Sequence, residues 1–211
     1  MPKAKQASQK KSLYDVHQGI AMMQKWLADL PQKTGRSLQE WIVLVNKEGP
    51  ATEKERREWL KKKYGLGTNS AWCLAERAQG KGYEEDSPEA YLQVAEKYVE
   101  GMFAGSKAGL KPIYDALLKL GKSLGKDVKV SPGKTAVPFY RKHVFAQIKP
   151  STRTRIDFGF ALKDRKAQGR LIDTGGFAKK DRITHRIEIT SLADIDDEVK
   201  YWLHFAYALD A

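Results

Sequence analysis

From Leu13 onward, apolar residues recur at every third or fourth position. Ile20, Met23, Trp26, Leu27 and Leu30 lay one stripe along a helix that the pattern ends at Pro31. Ser37 with Glu40 three positions on has the form of a capping box, in which each side chain satisfies the other residue's free backbone amide. Trp41, Ile42 and Val45 then supply the buried side of a second helix, closed at Gly49-Pro50. Thr52 and Glu55 repeat the box and open a third helix through Trp59, Leu60 and Tyr64. Gly65-Leu66-Gly67 reads as a turn, and Thr68 as the cap of a fourth helix carrying Ala71, Trp72, Leu74 and Ala75 as far as Gly80. This pair has the helix-turn-helix form. In a DNA-reading version Asn69, Ser70 and Arg77 would reach bases or phosphates, whereas any helical hairpin with a glycine turn gives the same pattern without DNA.

The glycine-rich, acidic stretch Gly80 to Asp86 reads as a boundary. Ser87 and Pro88 start a further helix with Tyr91, Ala95, Tyr98, Val99 and Met102 inward, and another follows around Ile113, Leu117, Leu120 and Leu124. From Lys126 the period changes to two. Strands are expected at Val128–Val130, Ala136–Tyr140, Val144–Ile148, Arg155–Leu162, Leu171–Asp173 and Ile183–Ile189, and connections this short make the sheet antiparallel. A last helix after Ser191 buries Ile195, Val199, Trp202, Leu203 and Ala206, with Asp194, Asp196, Asp197 and Glu198 at its positive end. The expected fold class is α+β: residues 1–12 a disordered basic arm, residues 13–80 a helical bundle with a helix-turn-helix-like hairpin, and residues 81–211 a mostly antiparallel sheet packed by flanking helices.

Charge sharpens this picture. The 211 residues carry a net +12, and residues 131–186 hold 14 basic against 4 acidic side chains, while residues 187–211 hold 1 against 6. A basic segment of this density attracts polyanions by its summed field and by counterion release, and it also serves solubility. DNA or RNA is therefore the expected partner class. The apolar runs fall short of the roughly 20 residues of a membrane span, and the N-terminus lacks a secretory apolar region, so the expected location is cytoplasmic, without membrane association. The lone Cys73, between Trp72 and Leu74, reads as a buried inert thiol.

The candidate chemistry is sparse. His17, His143, His185 and His204 have no metal-ligand spacing, there is no Walker-type loop, and the acids near the last helix diverge around it, so no catalytic set, metal or cofactor is expected. Asp157, Asp173 and Lys163 do not make a nuclease centre, because Asp157 alternates with core phenylalanines and faces away from them. Three readings stay open. In the first, the loop Thr174-Gly175-Gly176-Phe177 offers free amides, followed by Lys179, Lys180 and Arg182, while Arg141, Lys142, Lys149, Arg153 and Arg155 form a basic sheet surface near Phe139 and Tyr140, all binding nucleic acid or another anion. In the second, Tyr140, Arg155, His185 and Trp202 line a ligand or enzyme pocket between the sheet and the last helix. In the third, exposed Trp or Tyr residues make a protein-interaction module.

The stretch Trp59-Leu60-Lys61-Lys62-Lys63-Tyr64-Gly65-Leu66-Gly67-Thr68-Asn69, within Met22 to Ala78, resembles a bacterial helical domain of unknown function, of the 4287 type. The stretch from Ile113-Tyr114-Asp115 through Phe145-Ala146-Gln147-Ile148-Lys149-Pro150 and Gly175-Gly176-Phe177 to Asp194-Ile195-Asp196-Asp197-Glu198-Val199 resembles a second, of the 5655 type. The second is similar to domains labelled predicted transport proteins, a label that sits badly with the absence of a membrane segment. Related domains accompany restriction-type modules. The resemblance implies a two-domain bacterial cytoplasmic protein and supplies no catalytic residues.

Overall fold

A computed structural model describes residues 12–211, so the expected arm lies, apart from Ser12, outside the described residues. The chain divides into two compact units. One is Val16–Val94, and the other is Ala95–Ala211 together with the segment just before Val16. The division falls inside the fifth helix.

The first unit contains α1 (Gly19–Thr34), α2 (Leu38–Glu48), α3 (Glu53–Tyr64), α4 (Thr68–Arg77) and the start of α5 (Pro88–Met102). Both capping boxes form as expected, Ser37 with Glu40 and Thr52 with Glu55. Their apolar stripes meet in a core of Leu30, Trp41, Val45, Leu60, Ala71, Leu74 and Ala75. Tyr64 stands edge-on to both Trp41 and Trp59, with centroids 5.1 Å apart in each pair. Two boundaries differ from expectation. Pro31 does not stop α1, because a proline removes only one amide and the helix closes one turn later at left-handed Gly35, whose N–H donates to Pro31 O. Thr68 is the first residue of α4 rather than its cap; Gly67 occupies that position with no side-chain bond.

In the second unit α6 (Lys111–Lys122) and α7 (Asp197–Leu209) flank a six-stranded antiparallel sheet of β1 (Lys129–Val130), β2 (Val137–Tyr140), β3 (Val144–Pro150), β4 (Ile156–Phe160), β5 (Ile172–Asp173) and β6 (His185–Ile189), in the order β1-β2-β3-β4-β6-β5. In register, Val137, Ile148, Phe158 and Ile187 run across one face, beside Ala146, Phe160 and Ile156, and all are buried. The pairing passes from Phe139↔Ala146 to Tyr140↔Val144, so Phe145 is an extra residue of β3. This irregularity buries Phe139, Tyr140, Phe145 and Ala146 together, against strict alternation. The Phe145 ring meets Tyr207 of α7 edge-on at 5.5 Å. In α6 the inward residues are Ile113, Tyr114, Leu117, Leu118 and Gly121, so the stripe is shifted from the expected Leu120 and Leu124.

Leu13 to Asp15 are not helical. Asp15 exchanges bonds with Val130, backbone N–H to carbonyl and backbone N–H to carboxylate, both 2.8 Å, and thereby covers the outer edge of β1. Tyr14 and Tyr114 share a buried hydroxyl pair at 2.9 Å, where burial pushes the Tyr114 hydroxyl far up. Ser191 caps a short 3₁₀ turn, Leu192–Asp194, and α7 begins only after Asp196, whose carboxylate accepts from the Val199 N–H. Among the described residues no helix is long and apolar enough to cross a membrane.

Candidate anion-binding site

Folding returns the acidic end of the chain to the basic segment. Arg170 pairs with Asp196 at 2.5 Å and Glu198 at 3.0 Å, and Arg182 with Asp210 at 2.7 Å. Arg141 pairs with Asp127 at 2.6 Å and lies 4.4 Å from the Tyr207 centroid. The Tyr207 hydroxyl and Arg141 both donate to Asp127 and hold its carboxyl below the usual range. On the solvent-facing side of the sheet Lys149, Asp157 and Glu188 stand in line across β3, β4 and β6. Arg155 and Arg186 each contact both Asp157 and Glu188, at 2.7 to 2.9 Å. Two arginines against two carboxylates leave that lattice neutral. This corrects the expected basic platform: Arg155 does share a face with Asp157, but its charge is spent there, and Phe139 and Tyr140 are buried.

Within residues 131–186 what remains are cations for which no carboxylate partner is found among the described residues: Lys142, Lys149, Arg153, Lys163, Arg165, Lys166, Lys179 and Lys180. Five of the eight converge on two adjoining clefts. Lys142, Lys163 and Lys180 line a cleft of about 770 Å³, with His143, Phe177, Asp181, Arg182, Leu209 and Asp210. Lys163 and Leu209 also line its neighbour, about 400 Å³, where Arg165, Lys166 and Phe205 join them and Asp164 is the one acid. Lys149 lines a groove on the open sheet face, and Arg153 lies exposed in the β3–β4 turn.

Backbone geometry singles out the same cleft. Among the described residues the non-glycine residues with positive φ are Lys163 at 58° and Lys180 at 59°. A side chain in the left-handed region costs on the order of 1–2 kcal/mol, which glycine avoids. Such costs concentrate where a side chain is needed for function. The glycine loop itself is not an amide cradle. Gly175 N–H donates to the Asp173 carboxylate at 2.7 Å and Gly176 N–H to Thr174 Oγ1 at 3.2 Å, so neither is free. Arg182 is likewise engaged, donating to Val144 O at 2.7 Å as well as to Asp210. Lys179 is exposed beside the cleft and does not line it.

Asp210 organises this end of the unit. Its buried carboxylate accepts from the Lys142 and His143 backbone N–H groups at 3.0 and 2.7 Å, from His143 Nδ1 at 3.0 Å and from Arg182. Burial pushes the acid up, but the amide and ring bonds from His143, the Arg182 charge and the Lys142 amide outweigh it, holding Asp210 below the usual carboxylate range. The β2–β3 turn bearing Lys142, the Arg182 loop and the end of α7 are thus tied at one carboxylate.

The other expected residues do not meet. His185 and Trp202 are each 1% exposed in the core, Tyr140 borders the open-face groove and Arg155 belongs to the lattice, so they form no common pocket. His185 is a satisfied structural residue: Nε2 faces Arg165 O at 2.7 Å and Nδ1 faces Thr184 Oγ1 at 2.8 Å, anchoring the Arg165 loop. In the helical unit Arg77 is buried, paired with Asp86, and 4.6 Å from the Tyr83 centroid, so it does not face solvent. Ser70 accepts the Trp26 indole N–H at 3.0 Å and is half-buried, leaving Asn69 as the exposed member of the three. Lining the clefts but outside the expected binding set are Lys163, Arg165, Lys166, His143 and Asp210. For Lys163, Arg165 and Lys166 the signal is the run Lys163-Asp164-Arg165-Lys166 soon after a core strand, basic at three of four positions; His143 and Asp210 have none.

No curated protein and no solved structure matches the chain. Residues 22–79 match the family described as Domain of unknown function (DUF4287). Residues 99–210, more than half of the sequence and the part that carries both clefts, match Domain of unknown function (DUF5655), and the chain belongs to that family.

Proposed function

We propose that the second unit binds a polyanion, the phosphate backbone of a nucleic acid, through the cleft lined by Lys142, Lys163 and Lys180. The observation that carries this reading is the convergence of cations without carboxylate partners on one cleft, two of them on left-handed backbone. Lysines spread only for solubility have no reason to occupy positions where glycine is the more stable choice. The binding is non-catalytic: the lysines act as point charges that displace counterions.

The test is fluorescence anisotropy of labelled single- and double-stranded DNA and RNA, titrated with salt. The expected result is a log-linear loss of affinity, with a slope reduced by about 2 to 3 in the triple variant Lys142→Ala, Lys163→Ala, Lys180→Ala, corresponding to three lost phosphate contacts. Absence of binding at low salt, or a triple variant indistinguishable from wild type, sinks the reading. A companion effect is expected in stability. Lys163→Gly and Lys180→Gly relieve the left-handed backbone and stabilise the unit by up to about 1 kcal/mol each while weakening binding. Denaturation and anisotropy on the same preparations check that opposition.

A further inference from the structure

We infer that the nucleic acid is single-stranded, its phosphates in the lysine clefts and its bases stacked on a row formed by Arg165, Phe205 and Tyr201. This rests on the polyanion reading and adds the class of strand. The Arg165 guanidinium carbon lies 4.1 Å from the Phe205 centroid, and no carboxylate pairs with it among the described residues. The Tyr201 ring lies 6.2 Å from Phe205, nearly parallel at 29°, and Tyr201 is 52% exposed. Phe205 is held from below by buried Trp202, edge-on at 6.0 Å, which fixes the row.

A guanidinium over one ring, with a second ring nearly parallel to it, brings aromatic and cationic groups together in one row. That combination suits the π-face of an unpaired base and offers nothing to a duplex, whose bases are already stacked on one another. Phe205 and Arg165 line the smaller cleft, which shares Lys163 and Leu209 with the larger one, so charge and stacking surface are continuous. Phe177, 55% exposed, adds another ring at the wall of the larger cleft. The His185 bond to Arg165 O holds the backbone beneath the guanidinium, so the stacking residue sits on an anchored loop. The same patch could suit an acidic peptide by charge, but carboxylates would leave the aromatic row unused.

The experiment compares two probes of equal length and charge on the whole protein, an oligothymidylate and the corresponding abasic strand, alongside a duplex. Wild type is expected to bind the base-bearing strand about tenfold or more tighter than the abasic one. Tyr201→Ala, which removes a ring and no charge, should reduce that preference severalfold and leave abasic binding unchanged. Equal affinity for the two strands, or tighter binding of the duplex, overturns the inference while leaving the polyanion reading standing. Failure to bind any of the three removes both.

Discussion

Replacing Asp210 by alanine is expected to destabilise the second unit by about 2 to 4 kcal/mol, the range for breaking a buried charge network, reduced because Arg182 is nearly half exposed. The variant strips the partner from two backbone amides, an imidazole and a guanidinium at once. Asp210→Asn keeps an acceptor but not the charge, and should cost less. The pH dependence separates the two effects. The folded-state acid is held below its unfolded value, so its contribution is fully present above the unfolded pKa, about 3.9, and is lost as pH falls through the folded one. The stability gap between wild type and Asp210→Asn should therefore be constant near neutrality and close on acidification. Denaturant titrations over that range measure it; a gap that widens in acid would contradict the geometry. Binding should fall too, since Asp210 positions the turn that carries Lys142.

Elements governed by local physics were legible in the sequence. A capping box is a four-residue exchange of hydrogen bonds, and both boxes formed where their residues stand. Alternation in Ile156, Phe158 and Phe160 marked a strand with one core face, and β4 buries all three. Boundaries were less legible where a neighbour decides them. Leu13 to Asp15 continue a helical spacing yet are not helical, and Asp15 bonds to Val130 of β1, because an open edge strand offers it hydrogen bonds that an isolated helical turn cannot match. The exposed α4 residue Asn69 and buried Arg77 are separated by tertiary packing that no periodicity encodes.

The site was half legible for a related reason. Density of charge is a property of the sequence, but whether a cation is available depends on which acid reaches it. Arg182 finds Asp210 28 positions away, and Arg155, just before β4, finds Glu188 on the neighbouring strand β6. Most of the arginines in the basic segment are consumed this way, their planar forks spanning fixed carboxylates, while the flexible lysines are left outward. The proposed surface consequently keeps Lys142 and Lys180 of the expected set, adds Lys163, and leaves out the sheet face.

Alanine at two helical glycines should move stability in opposite directions, which tests the packing of the sheet against α6. A Cβ at Gly121 would stand 2.2 Å from a ring carbon of Phe139 and 2.7 Å from two more, and Phe139 is itself buried between Phe145 and Phe158. The gain of about 1 kcal/mol from helix propensity is outweighed by overpacking of about 1 to 3 kcal/mol or more, because the ring has no free space to enter. At Gly101 of α5, exposed and with nothing within 4 Å of the added atom, only the propensity gain survives, and Gly101→Ala should stabilise by about 0.5 to 1 kcal/mol. Native-state hydrogen exchange of the β2, β3 and β4 amides reads both changes in the second unit, separately from the first. Stabilisation at both positions would mean that Phe139 has room to yield, and that α6 does not hold the sheet through the close contact at Gly121.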